Sequence, residues 1–269
     1  MKKTVIITGC SSGIGEATAR LFQQKGWNVA ATMRRPEQFK TLERLQNTAC
    51  FLLDVTEPET IKLAIESAIK RFGKIDVLIN NAAHGLTGPF EAGTIRQIET
   101  LYDVDVFGVM NVTREIIPYF REWKGGTIVN ISSLAGRIGI PHSSFYTSAK
   151  WAVEGFSESI RYELGKFGIR IKIVEPGRVK TSFARNSTVL RMDEIPSYRK
   201  TMEKRLASYE KSRSRAADPS MIAEVIFTAA SSKNMKLRYL AGGDAKLFWR
   251  LNRILPFPLF TRLVEKMAG

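Results

Sequence analysis

The sequence predicts an α/β protein in which one parallel sheet is covered by helices on both faces. Short, continuously apolar segments rich in β-branched residues alternate along the chain with longer segments whose apolar residues recur at helical spacing. Strands that are apolar at every position are typical of parallel sheets with both faces buried. The length of 269 residues suits one large domain, so we expect a single domain spanning residues 1–269.

Seven segments have the short apolar character of buried strands. In chain order they are Thr4–Thr8, Asn28–Met33, Ala49–Leu53, Val77–Asn80, Thr127–Ile131, Ile169–Val174 and Leu237–Ala241. Because parallel strands need long crossover connections, a helix is expected between each strand and the next.

The segments between the strands have the apolar spacing of helices. The clearest is Glu57–Phe72, where Ala64 and Ile65 follow Ile61 by three and four residues and Ala68 follows Ile65 by three. The other predicted helices are Gly13–Lys25, Pro36–Leu45, Ile95–Trp123, Ser144–Lys166 and Met221–Ala230, the last with Asp218 as its N-cap.

Two later segments depart from this alternation. Phe183–Arg215 is polar, contains a basic run and shows no strand signal. An insertion of this length in a compact domain is usually a lid or a binding loop, so we interpret residues 183–215 as a substrate lid. Residues 245–267 have an amphipathic pattern interrupted by Pro256 and Pro258, which predicts a helical C-terminal tail.

The chain is strongly basic, and its charge is unevenly distributed. It has 41 Lys and Arg against 26 Asp and Glu, a net charge of +15, and residues 178–269 hold 19 of the basic but 8 of the acidic residues. A basic surface is found in proteins that bind nucleic acid, an anionic membrane or an acidic ligand, and also on ordinary solvated faces. No nucleic-acid motif accompanies the charge, so we expect no nucleic-acid partner. A peripheral membrane contact through the basic tail stays open.

Few residues are available for disulfides or for metal ligation. The two cysteines, Cys10 and Cys50, form no Cys-x-x-Cys motif, and the two histidines, His84 and His142, are far apart in the sequence. We therefore expect a reducing compartment, the cytoplasm, and no metal site. The first apolar run, Val5–Ile7, is shorter than a secretory signal requires.

The first strand leads into a glycine-rich turn, Thr8-Gly9-Cys10-Ser11-Ser12-Gly13-Ile14-Gly15, and a helix follows. Gly9 permits a tight turn, Gly13 lets the backbone approach a pyrophosphate, and Gly15 lets the helix pack close to the strand. The N–H groups at the helix start then face the phosphate oxygens. This arrangement predicts a dinucleotide-binding turn, although glycine spacing alone also fits an ordinary turn.

The end of the second strand indicates which dinucleotide is preferred. A carboxylate there would bind the adenosine ribose of NAD, but the sequence reads Thr32-Met33-Arg34-Arg35. The guanidinium groups of Arg34 and Arg35 suit the 2′-phosphate of NADP, and the Ser12 hydroxyl is a further candidate contact. We therefore expect NADP(H) as the cofactor, with NAD(H) disfavoured. The alternative is that Arg34 and Arg35 are solvated side chains that bind no phosphate.

Tyr146 and Lys150 are four residues apart in a predicted helix, so their side chains share one face. An ammonium group eases the ionisation of a nearby phenol, and such a tyrosine can exchange a proton with a carbonyl or an alcohol. Alone, this spacing is usually incidental. However, Ser132-Ser133 follows the fifth strand and Asn80-Asn81-Ala82 follows the fourth, at the sheet edge where functional groups collect.

Taken together, these motifs resemble the short-chain dehydrogenase/reductase family over Lys3 to about Thr181. The further matching motifs are Leu53-Asp54-Val55, Asn80-Asn81-Ala82-Ala83, Ser132-Ser133, Tyr146-Thr147-Ser148-Ala149-Lys150 and Pro176-Gly177-Arg178-Val179-Lys180-Thr181. The resemblance implies a Rossmann-type doubly wound parallel sheet in three layers. It also implies a homodimer or homotetramer formed through the long helices near Ile95–Trp123 and Ser144–Lys166.

The resemblance also assigns roles to single residues. Tyr146 would donate the proton in carbonyl reduction and accept it in alcohol oxidation, Lys150 would lower the pKa of Tyr146 and hold the nicotinamide ribose, and Ser133 would hydrogen-bond the substrate oxygen. The implied cofactor-binding residues are Gly9, Ser11, Ser12, Gly13, Ile14, Gly15, Arg34, Arg35, Asp54, Val55, Asn81, Ala82, Tyr146, Lys150, Pro176, Gly177, Val179 and Thr181.

Two positions depart from the family's pattern. Ala83 stands where the family has glycine, which bears on the local shape of the groove. Asp105, in Asp105-Val106-Phe107-Gly108, stands where the family usually has an asparagine that holds a water in a proton relay. A carboxylate could also hold such a water but cannot donate a hydrogen bond when ionised, so the relay at this position stays open. Because Asp105 lies inside a predicted helix, we interpret it from spacing as a solvated carboxylate and do not count it as a catalytic residue.

The predicted function is NADP(H)-dependent interconversion of a carbonyl and an alcohol by hydride transfer. Similarity at Arg34 and at Tyr239–Lys246 to steroid- and retinoid-active branches favours a lipophilic small-molecule substrate. One alternative is reduction of 3-oxo thioesters carried by an acyl carrier or coenzyme A, docked by the basic lid. The other is an NADP-binding regulatory protein without turnover.

Overall fold

The computed structural model describes residues 2–183, 187–190 and 195–268. Its central sheet has seven parallel strands. Strands are numbered in chain order, and β5 and β8 form a separate pair described below. The strands of the central sheet are β1 (Thr4–Ile7), β2 (Asn28–Met33), β3 (Thr48–Leu52), β4 (Val77–Asn80), β6 (Gly126–Ile131), β7 (Ile169–Pro176) and β9 (Arg238–Ala241). Their order across the sheet is β3-β2-β1-β4-β6-β7-β9. The chain thus winds outward from β1 in one direction and from β4 in the other, the doubly wound arrangement that the sequence predicted.

Helices connect the strands and cover both faces of the sheet. In chain order the described helices are α1 (Gly13–Gln24), α2 (Lys40–Glu43), α3 (Pro58–Phe72), α4 (Ile95–Tyr102), α5 (Gly108–Glu122), α6 (Ser144–Leu164), α7 (Arg199–Ser212), α8 (Pro219–Ser231), α9 (Gly243–Ile254) and α10 (Phe257–Ala268). Helix α8 begins as predicted, since the Asp218 carboxylate accepts a hydrogen bond from the backbone N–H of Ser220 at 2.9 Å.

Apolar layers fill the space between the sheet and the helices on each side. On one side, between α1 and α8, the ring of Phe22 lies 5.1 Å from that of Trp27 and 5.0 Å from that of Phe227. On the other side, α3 and α5 bury residues such as Ile65 and Phe120. Every residue of β1, β4 and β6 is buried, which explains their continuously apolar sequences and gives the three-layer Rossmann-type fold.

Two predicted helices differ from the structure. Ile95–Trp123 is interrupted by a π-helical turn, Asp103–Phe107, between α4 and α5. Pro36–Leu45 contains a 3₁₀ turn, Pro36–Gln38, and the single turn of α2. Its apolar residues Phe39, Leu42 and Leu45 recur every third residue and face the core. That spacing matches the three residues per turn of 3₁₀ geometry better than a regular α-helix.

The lid segment contains a strand that the sequence analysis missed. Thr188–Val189 (β8) pairs in parallel with Leu86–Thr87 (β5). A strand of two residues carries no periodic pattern, and only its partner, about a hundred residues earlier in the chain, defines it. The lid prediction for residues 184–186 and 191–194 lies outside the described residues.

The tail forms two helices, α9 and α10, separated at Leu255-Pro256. Phe248 and Phe260 are buried against Ile138, which lies in the loop after β6. The tail therefore packs beside the sheet edge from which functional groups were predicted to project. No helix in the described ranges is long and apolar enough to cross a membrane.

Candidate active site

The turn between β1 and α1 requires its glycines. Gly9 and Gly13 have φ angles of +73° and +61°, in the left-handed region that favours glycine. At Gly15 the reason is space, because a Cβ there would lie 2.2 Å from the carbonyl oxygen of Gly9. Ser12 is the N-cap of α1, yet its side chain makes no capping hydrogen bond. The first-turn N–H groups of α1 thus have no side-chain cap of their own.

Asn81, at the end of β4, ties this turn to the neighbouring strand. Its side-chain amide donates to the carbonyl oxygens of Thr8 and Gly9, at 2.9 and 3.1 Å. In return, the Thr8 hydroxyl accepts hydrogen bonds from the backbone N–H groups of Asn81 and Ala82, at 2.9 and 3.0 Å. The amide therefore fixes the floor of the crevice where the direction of winding changes.

The predicted adenine-end residues follow β3. The Asp54 carboxylate accepts hydrogen bonds from the backbone N–H and the hydroxyl of Thr56, at 3.0 and 2.8 Å. Val55 is buried next to Gly108, where a Cβ would lie 2.6 Å from its methyl carbon. Both residues are thus held in place by contacts within the protein, at the same sheet edge as the glycine turn.

The predicted nicotinamide-end residues follow β7. The Gly177 N–H donates to the carbonyl oxygen of Ala241 at 2.9 Å, and the Arg178 N–H donates to the Asp244 carboxylate at 2.7 Å. Val179 bridges to Ala217. Thr181 returns to the glycine turn, because a Cβ on Gly13 would lie 3.0 Å from the Thr181 methyl carbon.

Arg34 and Arg35 follow β2 directly and are exposed. Within the described ranges, neither side chain takes part in a hydrogen bond or an ion pair. Both guanidinium groups are therefore free to bind an anion at the open end of the crevice.

Tyr146, Lys150 and Ser133 meet at the carboxyl end of β6. Lys150 is buried, donates to the carbonyl oxygen of Ile131 at 3.3 Å and places Nζ 5.5 Å from the centre of the Tyr146 ring. The Ser133 hydroxyl lies near enough to Tyr146 to lower the pKa of its phenol, and it accepts the backbone N–H of Ala135 at 3.1 Å. A phenol, an ammonium and a hydroxyl thus converge on one point.

The interpretation of Asp105 as a solvated carboxylate is wrong. The residue is fully buried, accepts the backbone N–H of His84 at 2.6 Å and forms an ion pair with Lys150 at 2.9 Å. It lies in the π-helical turn Asp103–Phe107. The wider turn shifts the phase of the helical segment, so a position read as part of a regular helix faces the site.

Burial is the largest influence on the ionisation of this cluster. It raises the pKa of Tyr146, with Lys150 opposing and Asp105 adding to the increase. Burial alone would lower the pKa of Lys150, but Asp105 and Tyr146 outweigh it and the pKa is raised. Burial also raises the pKa of Asp105 against the opposing charge of Lys150. Lys150 therefore lowers the pKa of Tyr146 by less than burial and Asp105 raise it, and the pKa lies above its ordinary value.

Three residues of this region were given no role in the site from the sequence. Thr8 and Asp244 are buried or partly buried hydrogen-bond partners of the crevice loops, and His84 supplies the N–H that binds Asp105. Thr8 and Asp244 offered no local signal. For Asp105, the apolar neighbours Val104 and Val106 were the available indication of burial.

The lid and its neighbours border the side of Tyr146. The ring of Phe183 lies 5.9 Å from that of Tyr146. Arg205 of α7 donates to the Ser143 hydroxyl, at 2.8 Å, just before α6 begins. The His84 ring lies within hydrogen-bonding distance, 3.2 Å, of the Thr188 hydroxyl in β8. No group of three or more potential metal-ligating His, Cys, Asp or Glu side chains occurs in the described part of the chain.

Known proteins are similar to this chain in sequence and in architecture. The family described as short chain dehydrogenase matches residues 3–189. A 3-ketodihydrosphingosine reductase of Bacteroides thetaiotaomicron is 33% identical over 239 residues, covering 88% of this chain and 87% of that protein.

Solved structures give the same result. A short-chain dehydrogenase from Streptomyces avermitilis superposes with a TM-score of 0.81 and 32% identity, covering 94% of this chain and 93% of that chain. ElxO with NADP bound superposes with a TM-score of 0.76 and 26% identity, covering 92% and 100%. The family match spans most of the chain, and the fold superposes on these structures. The chain therefore belongs to the short-chain dehydrogenase/reductase family of oxidoreductases.

Proposed function

We propose that the protein is an NADP(H)-dependent oxidoreductase that interconverts a carbonyl and an alcohol, with Tyr146 as the proton donor and acceptor. The observation that carries this proposal is the convergence of Tyr146, Lys150 and Ser133 at the carboxyl end of β6. The glycine turn and Asn81 lie at the same edge of the sheet. A redox cofactor at that turn and a substrate at Tyr146 would thus be neighbours.

The residues of the crevice fit a dinucleotide. The uncapped start of α1 at Ser12 offers N–H groups to phosphate oxygens, and Gly15 has no space for a side chain. We assign the pyrophosphate to Gly9, Ser11, Ser12, Gly13, Ile14 and Gly15, the adenine end to Asp54 and Val55, the groove wall to Asn81 and Ala82, and the nicotinamide end to Tyr146, Lys150, Pro176, Gly177, Val179 and Thr181.

In this proposal the bound cofactor supplies a hydride in reduction and accepts one in oxidation. The Tyr146 hydroxyl donates its proton to the carbonyl oxygen as negative charge develops there. The Ser133 hydroxyl donates a hydrogen bond to the same oxygen and so orients the substrate. Lys150, held by Ile131 and Asp105, stabilises the phenolate that the proton transfer leaves behind.

We propose NADP(H) over NAD(H) because of the end of β2. Arg34 and Arg35 are exposed there with no ion-pair partner among the described residues. A guanidinium can bind a phosphate with two parallel hydrogen bonds. The likeness to ElxO with NADP bound supports the same preference.

We propose a lipophilic ketone or aldehyde, or the matching alcohol, as the substrate. The ring of Phe183 lies beside Tyr146. Phe145, which precedes Tyr146 on α6, is buried and stacks on Phe90 with ring centres 5.1 Å apart. A relative named 3-ketodihydrosphingosine reductase supports a ketone on a lipid chain. In this proposal the described residues of the lid segment, Phe183, 187–190 and 195–215, cover that substrate.

The test is a panel of carbonyl substrates, with oxidation of NADPH followed by absorbance, on the wild type and the variant Arg34→Ala. We expect turnover of lipophilic ketones and a KM for NADPH raised about tenfold or more in Arg34→Ala, with the KM for NADH little changed. NADPH binding without turnover of any carbonyl would favour the regulatory protein. Turnover confined to acyl thioesters, with a KM that rises with salt, would favour the carrier-linked reductase.

A second proposal concerns the surface of the tail. Helix α9 exposes Leu247 and Ile254, and the start of α10 exposes Phe257 and Leu259, by about half to three quarters of their surface. Arg250 lies on the same exposed face of α9 as Leu247 and Ile254. We propose that this tail surface binds an anionic lipid membrane peripherally, which would place the enzyme where a lipophilic substrate resides.

We further propose a homodimer or homotetramer. Phe107, in the turn before α5, and Trp151 and Tyr162, on α6, leave more than half of their surface exposed. Large exposed aromatic residues are enriched in protein interfaces. Light scattering measures the number of subunits in the assembly.

The free thiols Cys10 and Cys50 fit the reducing cytoplasm, which we propose as the compartment of the protein.

A further inference from the structure

Asp105 is a buried carboxyl beside the two groups to which the proposed function assigns the proton transfer. It lies in the π-helical turn between α4 and α5, and its side chain is fully shielded from solvent. One oxygen accepts the His84 N–H at 2.6 Å, and the other lies 2.9 Å from Nζ of Lys150. Single π-helical turns within helices are frequently found at functional sites.

A carboxyl and an amide at this position differ in one physical respect. Both accept a hydrogen bond from His84, but an amide leaves the ammonium of Lys150 with its full positive charge. The carboxyl and the ammonium together have no net charge, whichever of the two holds the shared proton. The site around Tyr146 is therefore neutral with Asp105 and would be cationic with asparagine.

We propose that Asp105 is a positioning residue that cancels the charge of Lys150 and so keeps Tyr146 in the protonated form that carbonyl reduction uses. The proposal rests on the proposed function of Tyr146. It goes beyond that function because it assigns a reaction preference at neutral pH to a residue outside the Tyr146, Lys150 and Ser133 set.

The groups that face the Tyr146 hydroxyl come from each element packed around it. Helix α6 contributes Lys150, the π-helical turn contributes Asp105, and the loop after β6 contributes the Ser133 hydroxyl. His84, in the loop after β4, faces Asp105 from its other side. Burial raises the pKa of Tyr146, and the Asp105 charge adds to that increase. Loss of a proton from Tyr146 would give this buried site a net negative charge, which burial disfavours.

The consequence is a difference between the two directions of the reaction. Reduction needs the Tyr146 O–H and is therefore retained up to alkaline pH. Oxidation needs the phenolate to accept the alcohol proton, so its rate rises only as the pH approaches the raised pKa of Tyr146. In the variant Asp105→Asn, the uncancelled ammonium favours the phenolate at lower pH.

The test compares Asp105→Asn with the matched control Asp103→Asn, which makes the same change at an exposed carboxyl two residues away. The phenolate of Tyr146 is titrated by ultraviolet absorbance, as the difference between each protein and the same protein carrying Tyr146→Phe. The pH dependence of kcat/KM for alcohol oxidation is measured in parallel. We expect both midpoints to fall by about one pH unit or more in Asp105→Asn and to stay at the wild-type value in Asp103→Asn.

Unchanged or higher midpoints in Asp105→Asn would overturn the proposal. If that variant does not fold, the wild-type titration still decides, because a Tyr146 phenolate that forms below the ordinary tyrosine pKa of about 10 contradicts a neutral site. Failure of the proposed function looks different, since Tyr146→Phe would then keep full activity. An Asp105 that only supports the fold would change the thermal midpoint and leave the phenolate titration unmoved.

Discussion

At the scale of single residues, Glu175 carries the most perturbed carboxyl outside the site. Its side chain lies at the end of β7, buried beside Glu154 of α6, and burial, with the Glu154 charge second, raises its pKa to about 7. Nε atoms of Arg238 and Arg137 lie 3.5 and 3.8 Å from one of its oxygens. Two guanidinium groups thus only partly compensate the cost of two neighbouring buried carboxylates.

Glu175 should make the folded state less stable as the pH rises. Between the ordinary carboxyl pKa of 4.5 and about 7, the folded protein holds this proton while the unfolded chain has lost it, so stability falls with pH in that window. We compare the free energy of unfolding of Glu175→Gln with that of wild type. We expect the difference between them to shift in favour of Glu175→Gln by on the order of 2 kcal/mol as the pH rises from 4.5 to 8. Urea unfolding at both pH values measures the difference.

Glu158→Gln is the matched control with the opposite trend. Glu158 is exposed and pairs with Arg238 at 2.6 Å, a hydrogen bond that lowers the pKa of Glu158. A lowered pKa gives stability that is present above 4.5 and lost as the pH falls, so this variant should lose stability at pH 8 and little in acid. If the Glu175→Gln difference does not grow with pH, Glu175 is not protonated in the folded state at neutral pH.

Residue-scale chemistry could be predicted only where local spacing reveals it. Tyr146 and Lys150 follow from the four-residue helical repeat, and Ser133 from its place after an apolar strand. Asp105 could not be placed in this way, because its burial depends on a π-helical turn that no period in the sequence marks. The Glu154 and Glu175 pair depends on tertiary contact between α6 and β7, which sequence spacing does not show.

At the scale of elements, the β1–α1 junction shows how a backbone requirement becomes a binding site. We expect Gly15→Ala to weaken NADPH binding strongly and to destabilise the fold by about 1–3 kcal/mol. The added methyl group would lie 2.2 Å from the Gly9 carbonyl oxygen and 2.6 Å from the Asn81 amide nitrogen. Calorimetric titration with NADPH and thermal unfolding measure the two effects.

The control for that junction is Gly165→Ala. Gly165 has helical angles, φ −57° and ψ −37°, and an added Cβ meets no atom within 4 Å. The same substitution should there be neutral or stabilising, by up to about 1 kcal/mol. Wild-type NADPH affinity in Gly15→Ala would show that the turn is not the phosphate site.

Elements could be predicted where they are long or continuously apolar. The central strands have the apolar sequences that burial on both faces demands, and α3 and α6 have long helical repeats. The exceptions depend on partners distant in the chain. Thr188–Val189 forms a strand only by pairing with Leu86–Thr87. The π-helical turn Asp103–Phe107 places Asp105 against Lys150 of α6.

At the scale of the whole molecule, the net charge of +15 is a property of the lid and the tail more than of the sheet body. The exposed face of α9 combines Leu247 and Ile254 with Arg250, and Arg253 lies 4.9 Å from the Trp249 ring on the adjoining face. Apolar side chains among cations suit the boundary between anionic headgroups and acyl chains.

We expect the protein to sediment with vesicles of phosphatidylcholine and phosphatidylserine, and less with phosphatidylcholine alone or at high salt. The double variant Leu247→Ser and Phe257→Ser should bind the anionic vesicles at least about tenfold more weakly, because it loses two exposed apolar side chains that would insert into the membrane. Met235→Ser, at a residue outside the tail that is about as exposed as Phe257, is the control. Equal vesicle binding by the wild type and the double variant would contradict the proposal that the tail surface binds a membrane. A concentration-dependent dimer that is lost in the double variant would show that this surface binds a second copy of the chain.

The most direct test of the central claim is Tyr146→Phe, measured as a single turnover of NADPH with a ketone that the wild type reduces. The substitution removes the phenol oxygen beside Lys150 and Ser133 while leaving the ring that contacts Phe183. We predict that the affinity for NADPH stays within a few-fold of wild type, while the rate of hydride transfer falls by about a hundredfold or more. A transfer rate close to that of the wild type would contradict it.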